Sequence, residues 1–281
     1  MIYYKKILYR FWVFVRQSYW RTIGGRTIGI FGVNYKVTPE TEITAYRTHK
    51  LPKAGHKSRI VRYTDFVQLH AIVDYIERLE YPPTVIDVGA HHGAYAVLIG
   101  SLICKRGGRC IAIEPNPESY NILKTNVKLN NLESVVTCIQ AGVSDTEGVF
   151  YINDNGIESK LINDDIASGL AVNVRTLSQV INEQGLTRVD ILLVDVEGAE
   201  LPVLQGFPWS SIPAPMIFCE LHPYAWPDFG YTGLDLSNFF AEKDFRCIDM
   251  FFNEYHEFNA SGYIGPTVLL PSNRLGKKIN A

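Results

Sequence analysis

Four ionisable side chains stand where two apolar runs of the chain come to an end. Asp195 and Glu197 follow "ILLV", and Glu220 and His222 lie at the end of "PMIFCEL". Side chains of these types can remove the proton from a hydroxyl group as that group attacks an electrophile. His222 is a candidate base because the ordinary imidazole pKa lies near neutrality, and Asp195 is the alternative. Asp195 and Glu220 could instead hold Mg²⁺ through carboxylate oxygens, and the metal would then acidify the hydroxyl.

A glycine turn in "TVIDVGAHHGAYAVLIG", Thr84 to Gly100, carries a second kind of chemistry. An apolar strand runs there into a turn and then a helix, and the free N–H groups at such a junction attract polar ligands. The turn lacks the Lys-Ser or Lys-Thr of a P-loop, and the spacing of Gly89 and Gly93 differs from the G-x-G-x-x-G of dinucleotide sites. Asp87 would repel a pyrophosphate but suits the amino group and the sulfonium of S-adenosylmethionine.

Glu114 closes the next apolar run, "RCIAIEP", and is followed by Pro115. An acidic side chain at this point of an α/β sheet receives the two hydroxyls of a ribose. NAD and S-adenosylmethionine both contain that ribose, so Asp87 discriminates between the two ligands. Together the two carboxyls predict an S-adenosylmethionine site.

The elements that must position these residues alternate between strand and helix from Thr84 onwards. Near-continuous apolar strands separated by helices are typical of a parallel sheet covered on both faces, so we predict a doubly wound α/β fold. Ligands bind such sheets at the carboxyl ends of the strands, where all the residues above are expected to meet. Ahead of the sheet we predict a hairpin within residues 26–50, a mobile loop over 51–63 and a helix from Thr64 to Leu79.

The first twenty-five residues are dense in aromatic side chains and carry basic but no acidic residues. Wound as a helix, residues 4–21 place their apolar and aromatic side chains on one side and their basic ones on the other. Such a helix can lie in an anionic membrane interface, and it can equally pack on the domain or on a second subunit. Its apolar runs are too short to span a bilayer.

The composition of the chain bears on its other possible functions and on its location. The net charge of −2 gives no support to nucleic-acid binding. The five cysteines form no C-x-x-C pair, which disfavours a zinc cluster. They resemble buried residues of a protein in a reducing compartment, so we expect a cytoplasmic location. Peripheral attachment to the inner membrane face is a further expectation. A homo-oligomer stays open.

Several blocks of the sequence resemble the FkbM-type S-adenosylmethionine-dependent methyltransferases. The resemblance runs from Arg62 to Pro223 and is most specific in "DVEGAE", Asp195 to Glu200. It implies the Rossmann-like class I sheet of seven mostly parallel strands with a final antiparallel strand. It also implies methylation of a hydroxyl oxygen, often on a sugar of a glycan, a lipid-linked saccharide or a natural product. We therefore divide the chain into an N-terminal extension, residues 1–60, and a methyltransferase domain, residues 61–281.

The resemblance also implies a role for individual residues. The methionine and ribose side of the cofactor would be lined by Gly89, Ala90, His91 and Gly93. Glu114 would hold the ribose, the Ala141–Gly142 turn would border the adenine, and Asp195 would face the methionine end and the acceptor. His91, Val194 and Ser178 depart from the family, which often has asparagine, lysine and aspartate at these positions.

Structural roles and other functions stay open at this point. Glu197 could cap a short helix beginning near Ala199, and His222 could satisfy a loop backbone before Pro223. The aromatic residues that follow could stack on sugar rings or pack within a lid: Tyr224, Trp226, Phe229 and Tyr231. The alternative functions are an inactive methyltransferase-like binding module tethered to a membrane and an NAD-linked oxidoreductase, which the absence of a G-x-G-x-x-G pattern disfavours.

Overall fold

The computed structural model describes Thr22 and residues 24–41, 57–154, 159–162, 170–258 and 265–271. The strands, in chain order, are β1 (Arg26–Ile30), β2 (Val33–Val37), β3 (Thr84–Val88), β4 (Arg109–Ile113), β5 (Val136–Ile139), β6 (Gly142–Val143), β7 (Gly148–Asp154), β8 (Ser159–Ile162), β9 (Leu170–Arg175), β10 (Ile191–Val194), β11 (Met216–Leu221), β12 (Phe245–Asp249), β13 (Glu254–Tyr255) and β14 (Gly265–Pro271). The helices are α1 (Lys57–Arg78), α2 (Ala94–Ile103), α3 (Pro117–Leu129), α4 (Leu177–Glu183), α5 (Glu200–Gln205) and α6 (Gly233–Glu242).

The main sheet has the strand order β13-β12-β14-β11-β10-β3-β4-β5. Strands β11, β10, β3, β4 and β5 pair in parallel, and β14 is antiparallel to both β11 and β12. The predicted doubly wound sheet with its late antiparallel strand is therefore confirmed. The sheet holds eight strands where seven were expected, because the two-residue β13 adds an antiparallel edge to β12.

Two layers of helices cover the sheet, because successive side chains of a strand point to opposite faces. On β3, Ile86 packs into a cluster that includes residues of α4, α5 and α6. Its neighbour Val85 packs into a second cluster with residues of α1, α2 and α3. The two faces explain why β3, β4 and β10 are apolar almost throughout: a polar side chain on either face would be buried.

Two elements differ from the sequence prediction. The predicted loop over 51–63 is wrong for its last seven residues, since α1 begins at Lys57; this stretch has no glycine or proline, and its lysine and arginines favour a helix. "VVTCIQAGVS", for which the sequence predicts one strand, makes two strands in different sheets, because the chain breaks between β5 and β6. The segment "GVFYIND", for which the sequence predicts a hairpin arm, is β7 and pairs antiparallel with β8, as predicted; both strands belong to a separate sheet with the order β6-β9-β7-β8.

The N-terminal hairpin consists of β1 and β2, which pair antiparallel as predicted. Tyr35 and Val37 of β2 are buried in the same cluster as α2 and α3. Beyond the hairpin, Asn126 accepts a hydrogen bond from the Thr38 amide at 2.7 Å and donates one to the His92 carbonyl at 2.7 Å. These contacts tie the hairpin to the turn after β3.

Two predictions about the N-terminal part have no structural outcome. The amphipathic segment over 4–21 and the last part of the predicted hairpin region, 42–50, lie outside the described residues. The division of the chain at residues 60 and 61 also stays a prediction, and it falls within α1. Among the described residues, none of the helices combines the length and the apolar character needed to cross a membrane.

Candidate active site

The turn after β3 requires glycine because it is pressed against the end of β10. Gly89 has φ of 82°, in the left-handed region, and a Cβ placed on it would lie 1.8 Å from the Asp195 carbonyl oxygen. Gly93 also has a positive φ, and a Cβ there would lie 2.3 Å from Leu123 Cδ1. The close approach brings the backbone of the glycine turn and the backbone of Asp195 together at one edge of the sheet.

Glu114 lies beside this turn as the sequence predicts, at the end of β4. Its carboxyl accepts the backbone N–H of His91 at 2.7 Å and that of Asn116 at 2.9 Å. Burial raises the pKa of Glu114 to about 7, although the two N–H groups oppose this shift. The carboxyl is fixed in orientation, and each oxygen keeps a second lone pair that could accept a ribose hydroxyl.

Asp87 is the one residue of the turn whose buried oxygen lacks a partner. Its side chain is buried, and within the described part of the chain Oδ2 has no hydrogen-bond partner. Burial, and then the charge of Glu114, raises the pKa of Asp87 to about 7. Buried polar atoms are nearly always hydrogen-bonded, so this oxygen calls for a donor from a ligand or a water.

A cleft opens at this edge of the sheet, between the ends of β3, β4, β6 and β10. It is lined by Val88, Gly89, His91, Ile113, Glu114, Pro115, Ala141, Gly142, Val143, Asp195, Val196 and Glu197. Most of the residues predicted to bind the cofactor are among them. The exceptions are Asp87, Ala90 and Gly93, which do not line it.

The predicted catalytic residues meet around one nitrogen of His222. Nε2 of the ring lies 4.0 Å from Asp195 Oδ1, 3.4 Å from Glu197 Oε2 and 3.8 Å from Glu220 Oε1. His222 itself is buried, whereas 54% of the Asp195 side chain is exposed. The carboxyl ends of β10 and β11 therefore build a cluster of three carboxyls and one imidazole, and Asp195 belongs to both the cluster and the cleft.

Sequence analysis missed Glu200, which lies on the other side of the His222 ring. Its Oε1 lies 2.8 Å from His222 Nδ1 and accepts the Gly198 N–H at 3.0 Å. Its Oε2 accepts Trp226 Nε1–H and the Tyr231 hydroxyl, each at 2.9 Å. The side chain is completely buried. One signal was available: Glu200 is the acidic residue at the start of an otherwise apolar helix segment.

Protonation of the cluster follows from its charges. Burial lowers the pKa of His222, but the hydrogen bond to Glu200 and the charges of Asp195, Glu200 and Glu197 outweigh it and raise this pKa to about 10. The ring is therefore an imidazolium at neutral pH. The pKa of Asp195 is raised by desolvation and by the charge of Glu220. Because about half of the Asp195 side chain is exposed to the open cleft, we attribute its raised pKa chiefly to the charge of Glu220.

The aromatic residues after β11 divide into two groups. Trp226 and Tyr231 are buried, stacked on each other and bonded to Glu200, so they pack and do not present a face to a ligand. Phe229 is half-buried. The Tyr224 side chain is exposed, and its hydroxyl donates to Glu197 Oε2 at 2.8 Å. Of the four candidates for sugar stacking, Tyr224 is the one in a position to do so.

The geometry bears on two alternatives: a helix-capping role for Glu197, and a metal site held by Asp195 and Glu220. Helix α5 begins at Glu200 with no side-chain cap, so Glu197 does not cap it. Asp195, Glu197 and His222 each offer a ligand atom, and these atoms lie within 4.8 Å of one another. This set differs from the predicted pair of Asp195 and Glu220. An imidazolium carries protons on both nitrogens and must lose one to bind a metal, so the metal site stays a prediction.

A family model described as the methyltransferase FkbM domain matches residues 87–247. The chain belongs to this family. The match confirms the resemblance seen in the sequence, and it begins and ends further along the chain than the predicted range of Arg62 to Pro223. It includes the glycine turn, Glu114 and the whole carboxylate–histidine cluster.

Two curated relatives and one solved structure are similar to this FkbM-domain chain. Methyltransferase sdnD of Sordaria araneosa is 32% identical over 167 residues, which cover 47% of this chain and 62% of the relative. Hexuronic acid methyltransferase AglP of Haloferax volcanii is 24% identical over 149 residues, covering 52% of this chain and 59% of the relative. The chain thus spans about 60% of the length of these relatives. The structure of methyltransferase FkbM from Methylobacillus flagellatus is 18% identical, with a TM-score of 0.42, covering 69% of this chain and 45% of that one.

Proposed function

We propose that the protein transfers the methyl group of S-adenosylmethionine to a hydroxyl oxygen of a saccharide, glycan or glycolipid acceptor. The observation that carries the proposal is the position of Asp195, which lines the cofactor cleft and also lies beside His222 and Glu220. A proton acceptor therefore stands next to the place where a methyl donor would bind. The Haloferax volcanii relative is described as a hexuronic acid methyltransferase, which supports a sugar acceptor.

The cleft and the adjoining Asp87, which does not itself line it, offer a partner for each polar part of the cofactor. S-adenosylmethionine, when bound, supplies a methyl group on a positively charged sulfonium. Asp87 would accept a hydrogen bond from its amino group, and Glu114 would accept the ribose hydroxyls. The backbone of Gly89 leaves room for close approach, and the turn at Gly142 would border the adenine.

Asp195 is the side chain best placed to take the acceptor's proton. An alcohol is a weak nucleophile, and its hydroxyl must lose a proton as the oxygen is methylated. Asp195 faces the cleft, and desolvation together with the charge of Glu220 raises its pKa well above that of an ordinary aspartate, which makes it a stronger base. His222 is not suited to be the base, because its pKa of about 10 keeps it protonated at neutral pH. As a fixed positive charge it holds the three carboxyls together.

The cofactor class is tested by calorimetric titration with S-adenosylhomocysteine, with NAD in a parallel titration. We expect S-adenosylhomocysteine to bind with a dissociation constant on the order of micromolar, about −8 kcal/mol. Binding of NAD instead would favour the oxidoreductase. Binding of neither ligand by folded protein would favour an inactive module.

The metal alternative has a separate test, because it predicts a different response to chelation. If Asp195 is the base, methyl transfer measured with labelled donor is expected to survive removal of divalent ions by EDTA. If Asp195 and its neighbours hold Mg²⁺, EDTA would abolish transfer, and added Mg²⁺ would restore it.

A further inference from the structure

We propose that Glu200 is a positioning residue for methyl transfer: it fixes the ring of His222 so that Nε2 faces Asp195, Glu197 and Glu220. The proposal rests on the function proposed above for this site. Glu200 does not line the cleft itself, so it would act only through His222.

The two nitrogens of His222 meet different surroundings. Nδ1 lies 2.8 Å from Glu200 Oε1, a hydrogen-bond distance, whereas Nε2 lies 3.4–4.0 Å from three carboxyls at the edge of the cleft. An imidazole that is bonded at one nitrogen cannot rotate freely about χ2, so the bond to Glu200 determines where the other nitrogen points. Glu200 thus determines that Nε2 is the nitrogen that points to the carboxyls at the edge of the cleft.

Glu200 is itself held by donors that arrive from separate parts of the chain. Gly198 supplies a backbone N–H from the turn after β10, while Trp226 and Tyr231 supply an indole N–H and a hydroxyl from the segment after β11. With the His222 ring, four donors surround one carboxylate that has no exposed surface. These contacts fix the position of the Glu200 carboxylate, so that it can orient the ring.

A purely structural role for Glu200 makes a different prediction. Its bonds to Gly198, Trp226 and Tyr231 could simply hold the turn between β10 and α5. In that case the loss of the carboxylate would weaken the protein in the same way whether or not His222 is present. If Glu200 acts through His222, its effect on the rate must disappear when the imidazole has gone.

A double-mutant cycle measures this dependence. Glu200→Gln is expected to lower kcat by roughly 10–100-fold, by analogy with the loss caused when the hydrogen-bond partner that orients a metal-bound histidine is mutated. Affinity for S-adenosylhomocysteine should stay within about twofold, since Glu200 is outside the cleft. In the His222→Asn background the same substitution should change kcat by less than about twofold. Equal loss in both backgrounds would overturn the proposal.

An NMR titration gives a readout that needs no acceptor. The ¹⁵N signals of His222 are assigned by their absence in His222→Asn, and Glu200→Gln is expected to lower the pH at which this ring titrates. An unchanged titration would overturn the positioning role. If the wild-type protein methylates no saccharide yet His222 responds to Glu200, the proposed function fails while the coupling of the two residues stands.

Tyr231→Phe provides the test if Glu200→Gln does not fold. This substitution removes one hydrogen-bond donor from Glu200 and leaves His222 unchanged, so the carboxylate interacts more strongly with the His222 ring. The His222 titration is then expected to move to higher pH. No movement, or movement to lower pH, would contradict the proposal.

Discussion

Replacement of Gly89 by alanine tests the packing of the glycine turn against β10. A Cβ at Gly89 would lie 1.8 Å from the Asp195 carbonyl oxygen, a distance that atoms do not adopt, so one of the two backbones must move by about 1 Å. The left-handed φ adds a cost of about 1–2 kcal/mol for a residue with a side chain. Overpacking of this kind costs typically a further 1–3 kcal/mol, so we expect the free energy of unfolding to fall by roughly 2–5 kcal/mol.

The functional effect of Gly89→Ala should exceed its effect on stability. Displacement of a reacting group by about 1 Å can reduce a rate by about 10²-fold, so methyl transfer is expected to drop by that factor in protein that is still folded. S-adenosylhomocysteine binding, measured by calorimetry, should weaken as well because the turn lines the cleft. Unfolding in urea at a temperature where the variant is folded gives the stability change.

Gly185→Ala is the matched control for this experiment. Gly185 also has a positive φ, of 60°, but a Cβ there would have no atom within 4 Å. It therefore incurs the backbone cost of about 1–2 kcal/mol alone. If Gly89→Ala is no more destabilising than Gly185→Ala, and binds S-adenosylhomocysteine normally, the contact between the turn and Asp195 does not constrain the site and our reasoning about it is wrong.

Four further predictions address the site and the N-terminal segment. Asp195→Asn is expected to lower kcat by about 10²–10⁴-fold with S-adenosylhomocysteine affinity nearly unchanged; unaltered turnover would exclude it as the base. Tyr224→Ala should raise the acceptor KM by about 2–10-fold, as loss of an aromatic contact does, whereas Phe252→Ala, on an exposed ring after β12, should not. The pKa values of Asp87 and Glu114 are raised to about 7, so both become charged as pH rises through 7, and S-adenosylhomocysteine affinity should increase over that interval; a flat calorimetric profile would contradict this. Deletion of residues 1–23 should abolish binding to anionic vesicles and spare cofactor binding, and persistent sedimentation with vesicles would refute the membrane role.

The sequence predicts much of the site because strand ends converge. Asp87, Glu114, Asp195 and Glu220 all lie at the carboxyl ends of apolar runs, and the parallel pairing of β3, β4, β10 and β11 brings those ends to one edge. This step needs only the near-continuous apolar runs and the rule that such sheets bind ligands at the carboxyl ends of their strands.

The contacts of Glu200 and the pKa of His222 could not be predicted from the sequence, for a physical reason. The partners of Glu200, His222, Trp226 and Tyr231, lie 22 to 31 residues away, on a segment whose path over α5 is determined by packing. The position of four carboxyls around one ring likewise depends on distances of a few ångströms, which residue spacing does not provide. The ordinary imidazole pKa therefore suggested a base where the structure places an imidazolium.

Irregular elements were missed for related reasons. β13 has two residues and pairs only because the turn after β12 returns it to that strand. The hydrophobic pattern of "VVTCIQAGVS" does not reveal the break between β5 and β6, although this break places Ala141 and Gly142 in the cleft. Short strands and breaks of this kind are decided by tertiary contacts and not by hydrophobic pattern.

The central claim is that Asp195 removes a hydroxyl proton during methyl transfer to a sugar. The most direct measurement is transfer of isotope-labelled methyl from S-adenosylmethionine to a panel of free and lipid-linked saccharides, with wild-type protein and Asp195→Asn side by side. We predict a product carrying the label as a methyl ether on a sugar oxygen, formed by the wild type and reduced by at least about 10²-fold in the variant. Label on nitrogen or carbon, or equal product from both proteins, would contradict it.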